Sequence, residues 1–439
     1  MNRFRARNAG AAAVALAVAA SCATHERVEI AHLPAPPAPA SFDASLVEHG
    51  AELAAAGNCR GCHTPPGARA FSGGLPLKSA FGTIYTSNIT PDPETGIGRW
   101  SEEAFRRAMR EGIDRRGEHL YPAFPYDHYT LVTDADDRAI YAYLMTRPAV
   151  KNRPPRNELI FPFNVRESIA AWKKLYFHPG PYQPDPAHDA QWNRGKYLVE
   201  GLGHCSGCHS PRNAAQAEKR DRHMDGGEAE GWHAYALNES NAAPDAWTVD
   251  AMQAYLARGW TRDHGVSRGP MAGVTRELAN VGDGDLRAMS VYLVSLMGPA
   301  QRSAPQPRPA PDSRAARLYE GACALCHDGD DALPFGGIAL EHSIGVSGED
   351  ARNPANVILY GLPAAEEGAA SPVMPAYAGA LSDAELAELL AYLRARFSDR
   401  PPWADLARQV AEARKAGPEV ARESAGGTGA DPARVAEGR

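Results

Sequence analysis

The sequence predicts an all-α chain of three similar segments, each folded around something other than its own side chains. Three observations carry this. The pentapeptide pattern C-x-x-C-H occurs three times, at Cys59–His63, Cys205–His209 and Cys323–His327. Each copy is followed by an acid-rich turn leading into a short apolar helix. Between these features the chain is rich in the 36 Pro and 41 Gly of its 439 residues, and much of its 44% apolar fraction is Ala. That composition supplies too few large aliphatic side chains for wide sheets or a long helical bundle. At roughly 150 residues per domain, the length also suggests about three domains.

Residues 1–22 read as an export signal, with Arg3, Arg5 and Arg7 ahead of a small apolar run from Ala9 to Ala20. The run is too short to span a bilayer, and no later one reaches the ~18 apolar residues a span needs. Cys22 follows Ala-Ala-Ser, where a lipoprotein signal places its acylated cysteine, although no Leu stands three residues before it. Two acyl chains there would anchor a soluble body to a membrane surface. Cleavage after Ala20 or Ala23, with no anchoring role for Cys22, is the alternative.

The first segment runs over 41–148, with a helix expected at Glu102–Arg110 and another after Thr133-Asp134-Ala135-Asp136-Asp137. A Pro- and aromatic-rich connector covers 149–186. The second segment covers 187–299 and repeats the pattern, with Gly282-Asp283-Gly284-Asp285 leading into its terminal helix. Trp100, Gly112 and Phe124 in the first are matched by Trp247, Gly259 and Met271 in the second, spaced by twelve and twelve. A Pro-rich linker, expected to be extended, occupies 300–312. The third and shorter segment, 313–397, carries Gly361, Met374 and a helix opened by Ser382-Asp383-Ala384-Glu385. An Asp or Ser cap with acids in the first turn marks the start of each terminal helix. The tail, 398–439, has few large apolar residues and reads as largely disordered, with one short helical stretch at most.

The repeated motif names the missing interior. Two thiols one helical turn apart can form thioethers to one haem, and the adjacent imidazole then faces the iron. Cys59 and Cys62 with His63, Cys205 and Cys208 with His209, and Cys323 and Cys326 with His327 thus read as three covalent haem c sites. Zinc would need further Cys pairs, and the single remaining cysteine, Cys22, cannot supply them. A redox C-x-x-C gives no reason for a His after each copy. The formal charge of −7 excludes a broad basic surface, so no nucleic-acid partner is expected.

Met or His usually fills the sixth iron position in electron-transfer haems. Met271 in Gly269-Pro270-Met271 and Met374 in Pro372-Val373-Met374-Pro375 stand beside proline in what reads as loop, with no helical face to pack on. They are taken as distal ligands, while Met252, Met289 and Met297 read as core. The first segment has Phe124 at the matching place, and phenylalanine cannot bind iron. His128 is favoured there, His119 is second and an open iron third; Met109 sits within a helix and reads as core. Trp100 and Trp247 are read as haem-edge residues whose indole N–H could meet a propionate, with plain core packing as the alternative.

On these residues the chain resembles the membrane-associated three-haem cytochrome c subunit of bacterial periplasmic dehydrogenases, over roughly Phe42 to Phe397. The carriers are the three motifs, the stretch Tyr85 to Trp100, the stretch His119 to His128, Gly269-Pro-Met-Ala272 and Met374-Pro-Ala-Tyr377. The resemblance implies three tandem cytochrome c-like domains at the periplasmic face of the inner membrane. It also implies a catalytic dehydrogenase partner and delivery of electrons to quinone, a soluble cytochrome c or an oxidase. The branch serving flavin-dependent or quinoprotein alcohol and sugar dehydrogenases carries Met where this chain has Phe124. Phe124 with Asp127-His128 is similar instead to the branch found beside molybdenum hydroxylases such as nicotinate, isoquinoline or aldehyde dehydrogenases. No nucleotide-binding Gly loop, acid pair or triad appears, so substrate chemistry is expected on the partner. The competing class is a haem enzyme acting on a small oxidant at an open first haem.

Overall fold

The computed structural model describes residues 41–300, 313–328, 339–362 and 373–425. The signal expected at 1–22, Cys22, all but the first residue of the 300–312 linker, and the tail beyond 425 lie outside them. Helices dominate the described residues, and the strands form only small antiparallel ribbons. The chain divides into two compact units. One comprises the described residues up to Asp185 together with Glu200–His204; the other comprises Pro186–Val199 and the described residues from Cys205 onward.

The first unit contains α1 (Ala44–Ala56), α2 (Cys59–His63), α3 (Glu102–Glu111), α4 (Tyr126–Tyr129), α5 (Asp134–Met145) and α6 (Ser168–Tyr176). A three-stranded sheet, β1 (Pro76–Ser79), β2 (Gly82–Tyr85) and β3 (Glu158–Leu159), pairs Ser79 with Gly82 and Gly82 with Leu159. Helix α1 lies directly on α5, and Gly50 is what lets it: a Cβ there would stand 1.9 Å from the Ala139 carbonyl oxygen. Leu53, Ala139, Ile140, Tyr141 and Leu144 bury the contact. Thr133 caps α5 by accepting from the Asp136 amide, and Ser101 caps α3 by accepting from the Ala104 amide.

The second unit begins with α7 (Ala190–Tyr197) and α8 (Ser206–His209), followed by the hairpin β4 (Gly227–Ala229) and β5 (Trp232–Ala234). Then come α9 (Val249–Arg258), the hairpin β6 (Trp260–Thr261) and β7 (Gly265–Val266), α10 (Pro270–Leu278) and α11 (Asp283–Met297). Helix α7 crosses α11 as α1 crosses α5. A Cβ on Gly195 would stand 1.9 Å from the Ala288 carbonyl oxygen and 2.9 Å from the Tyr292 Cβ, and a Cβ on Gly50 would likewise stand 2.9 Å from the Tyr143 Cβ. Gly50 precedes Cys59 by nine residues, whereas Gly195 precedes Cys205 by ten. The extra residue is taken up by a π-helical turn at Leu198–Leu202, which keeps the motif in register with the crossing.

The same unit continues with α12 (Arg314–Ala322), α13 (Ala324–His327), α14 (Ile344–Ser347), α15 (Arg352–Tyr360), α16 (Asp383–Phe397) and α17 (Leu406–Ala425). Ala316, Tyr319, Leu359, Leu386, Leu390 and Val410 form its core. Ser382 and Glu385 close a reciprocal capping box at the start of α16, as the sequence suggests.

Two expectations are corrected here. The tail is not limited to one short helical stretch: α17 is twenty residues long, and Val410 and Ala413 enter the core with Trp403 ahead of them. The Trp403 indole donates to the Gly348 carbonyl, and Arg394 lies over its ring. Three well-placed apolar residues suffice to dock a helix whose overall composition is polar. The caps also differ from the Asp or Ser expected, since Thr133 and Gly282 occupy two of the three N-cap positions.

The Cys205 and Cys323 segments, both in the second unit, share a polar seam. Arg352 pairs with Glu228 at 2.8 Å and His342 with Asp245 at 2.6 Å. Asn353 bonds both backbone groups of His233, and Asn356 donates to the Gly231 carbonyl.

Candidate haem sites

Each C-x-x-C-H folds as a single helical turn, α2, α8 and α13, which brings two thiols and the imidazole to one side of the backbone. In α8 and α13 the histidine amide donates back to the first cysteine carbonyl, at 3.0 Å for His209 and 3.1 Å for His327. Among the described residues no disulfide joins the six motif cysteines. Asn58 and His204, each just before the first cysteine, take positive φ of 47° and 38°, turning the chain sharply into the motif.

The imidazoles of the first two motifs are held alike. His63 Nδ1 donates to the Ser87 carbonyl at 2.6 Å, and His209 Nδ1 donates to the Tyr235 carbonyl at 2.6 Å. That bond places the proton on Nδ1 and the lone pair on Nε2, the tautomer an axial ligand needs. Burial pushes both pKa values below the usual imidazole range, against the smaller opposing effect of the backbone bond, and so favours the neutral form. For His327, the residues that follow at 329–338 lie outside those described.

The distal side differs between segments. Met271 is expected in a loop but occupies the first turn of α10, half-buried. Pro270 opens that helix at a position where its missing N–H costs nothing. The preceding Gly269 has φ 56°, and a Cβ on it would stand 2.4 Å from the Trp232 indole, so Trp232 backs the turn that carries Met271. Met374 exchanges both backbone hydrogen bonds with Leu362, each 2.9 Å, in an isolated bridge just ahead of α16. Met252, Met289 and Met297, like Met109, are buried in the core.

In the first segment Phe124 lies edge-on to Tyr129, ring centroids 5.3 Å apart, and buried Tyr129 is electrostatically close to the Cys59 and Cys62 thiols. His128 is buried one residue away in α4; its Nδ1 donates to the Glu200 carbonyl at 2.9 Å, and its ring centroid lies 6.4 Å from that of His204. His119 Nδ1 accepts from the Lys173 ammonium at 3.1 Å, an ammonium that also donates to the Glu111 and Gly112 carbonyls. An ammonium can only donate. His119 therefore carries its proton on Nε2, while His128 carries its own on Nδ1.

Orphaned donors test whether these pockets fit a haem. The Trp247 Nε1, Trp232 Nε1 and Arg268 Nε atoms are buried with no acceptor among the described residues. Buried donors are normally paired, and haem propionates are acceptors of the right chemistry. The Trp247 ring stacks on His264 at 3.6 Å and 13°. Trp100 is fixed differently: its carbonyl accepts from the Tyr141 hydroxyl at 2.6 Å. Thiol pairs, Nε2-directed imidazoles, thioethers and unpaired donors together suit covalent haem c. Trp232, Arg268 and Tyr129 carry no motif of their own, and sequence reasoning missed them.

These sites define a c-type cytochrome. The family model described as cytochrome c matches residues 47–148, and that of the cbb3-type cytochrome c oxidase subunit III matches residues 310–393. The chain is 45% identical over 397 residues to a nicotinate dehydrogenase subunit of Pseudomonas putida, covering 88% of this chain. It spans about a third of the length of that relative, 33%. It is 33% identical to the gluconate 2-dehydrogenase cytochrome c subunit of Pantoea cypripedii, covering 84% of this chain and 90% of the relative. The cytochrome c subunit of the quinone alcohol dehydrogenase of Gluconacetobacter polyoxogenes is also 33% identical, with 86% of each chain covered. The chain belongs to the cytochrome c subunits of dehydrogenases, and its role is electron transfer.

Proposed function

We propose that this chain carries three covalent haems c, one in each of three tandem cytochrome domains, and relays electrons from a periplasmic dehydrogenase of the molybdenum hydroxylase type. The receiving species is quinone, a soluble cytochrome c or a terminal oxidase. The observation that carries the reading is the common build of the first two motifs, where His63 and His209 meet a backbone carbonyl at the same 2.6 Å. Each bound haem supplies a one-electron couple at its iron. The chain's residues fix where that couple sits. The thioethers hold the ring, Ser87 and Tyr235 orient the imidazoles, and soft Met271 and Met374 favour the reduced state. His128, with its proton on Nδ1, would hold the distal side of the first haem, and a histidine there would lower its potential relative to the other two.

The partner assignment rests on 45% identity to a nicotinate dehydrogenase subunit against 33% to the gluconate and alcohol dehydrogenase subunits, and on Phe124 standing where the first methionine would be. A second reading, a flavin- or quinoprotein-dependent dehydrogenase, is favoured by coverage, since those relatives are matched over 86–90% of their length. In this reading residues 1–22 are an export signal that places the chain at the periplasmic face of the membrane, either anchored through a lipidated Cys22 or associated there without it. No helix among the described residues is long and apolar enough to cross a membrane. Isolation of the native complex from membranes, followed by cofactor analysis of the co-purifying chains, tests the partner. Molybdopterin supports the proposal; flavin or pyrroloquinoline quinone replaces it with the second reading.

A further inference from the structure

Arg268 is unusual in the second unit. Its side chain is half-buried with Nε enclosed, its Nη2 donates to the Gly361 carbonyl at 2.9 Å, and its Nε has no acceptor among the described residues. A cation in such a place is strongly disfavoured unless an anion compensates it, and one neutral carbonyl does not. Its position in the chain is equally informative. Arg268 stands directly before Gly269 and Pro270, the turn that delivers Met271. Gly361 ends α15 at φ 71°, and a Cβ on it would lie 2.5 Å from the Met374 carbonyl oxygen. The next residue, Leu362, pairs with Met374 through both backbone bonds. One side chain thus ties the turn carrying Met271 to Gly361, next to the bridge that holds Met374.

The surrounding seam keeps this tie in place. Arg352–Glu228, His342–Asp245 and the Asn353 bonds to His233 join the same two segments. The carbonyl that holds His209 belongs to Tyr235, at the end of the β4–β5 hairpin on which Asn353 and Asn356 close.

We propose that Arg268 is a positioning residue shared by the second and third haem sites: its Nη2 locks the Met271 turn to Gly361 beside the Leu362–Met374 bridge, and its Nε donates to a haem propionate. The two haems are thereby a coupled pair. Reduction adds a negative charge to each site, so a nearby buried cation favours the reduced form and holds both potentials up. The inference rests on the three-haem reading with Met271 and Met374 as ligands.

The test is a spectroscopically monitored redox titration of the full haem-loaded chain with Arg268→Gln and Arg268→Lys, alongside the haem count per chain. Arg268→Gln is expected to lower the potentials of two haems of three and to weaken the Met–iron absorption of both, leaving the first haem unmoved. Arg268→Lys keeps the charge and loses the fork, so the potentials stay nearer wild type while the Met–iron absorption still falls. A shift at one haem, at none or at all three overturns the proposal. If Arg268→Gln does not assemble three haems, Arg268→Lys decides alone: unchanged potentials with unchanged Met–iron absorption overturn it. Failure of the underlying reading looks different, because Met271→Ala and Met374→Ala would then leave the wild-type Met–iron absorption intact.

Discussion

The Cys59 and Cys205 sites share a proximal half and differ in the distal half. On the proximal side each has a glycine seated on a helix carbonyl, a left-handed residue before the first thiol, and an imidazole held by a backbone oxygen at 2.6 Å. Even the one-residue difference in spacing is absorbed by a π turn, so the geometry at the motif survives. On the distal side one has Phe124 against Tyr129, the other Met271 braced by Trp232. The lesson is that the fold repeats the thiol pair and the held imidazole while varying the residue opposite them, so in the proposed relay potential would be set at the sixth position without disturbing the scaffold.

The largest effect should come from breaking the shared half. Gly50→Val or Gly195→Val drives a side chain into a backbone carbonyl that cannot move aside, and we expect a loss of about 3 kcal/mol or failure to assemble. Denaturant unfolding and haem content check this; equal tolerance of both substitutions would mean that the crossing is not what positions the motif. Next come the distal ligands. His128→Ala should turn one haem of three high-spin and His119→Ala should not, read by electron paramagnetic resonance. An unchanged spectrum in His128→Ala would remove that histidine from the iron. Met271→Ala and Met374→Ala should each remove half of the Met–iron absorption, since the first haem contributes none.

Smaller effects sharpen the same contrast. Trp247→Phe removes an orphaned indole donor while retaining ring stacking on His264, and should lower stability by about 1–2 kcal/mol only when haem is attached. A matching loss in the haem-free chain would assign Trp247 to packing alone. Ser382→Ala breaks the capping box of α16 and should cost about 1 kcal/mol in a thermal or denaturant melt, with haem spectra unmoved. Altered spectra would show that α16 bears on the third site more directly than its cap suggests.

Legibility in the sequence followed the same division. The proximal half could be read because thioether chemistry requires Cys, Cys and His at one spacing, and the helices because their caps and apolar stripes are local. Met271 and Met374 stand out by their place in the repeat, but the helical turn holding Met271 does not, since Pro at a helix start and Pro in a loop look alike. Trp232, Arg268 and the Ser87 and Tyr235 carbonyls were invisible, because their roles depend on segments far apart in the chain or on backbone atoms common to every residue. Helix α17 escaped notice because Val410 and Ala413 are a thin stripe in a charged segment.

The central claim is a relay of three six-coordinate haems with methionine at two and not at the first. Magnetic circular dichroism of the oxidised full chain, with haem quantified per polypeptide, tests it most directly. Three haems are predicted, all low-spin, two with Met–iron bands and one without. A high-spin haem that binds cyanide or reacts with peroxide would contradict the claim and make the first site that of a haem enzyme.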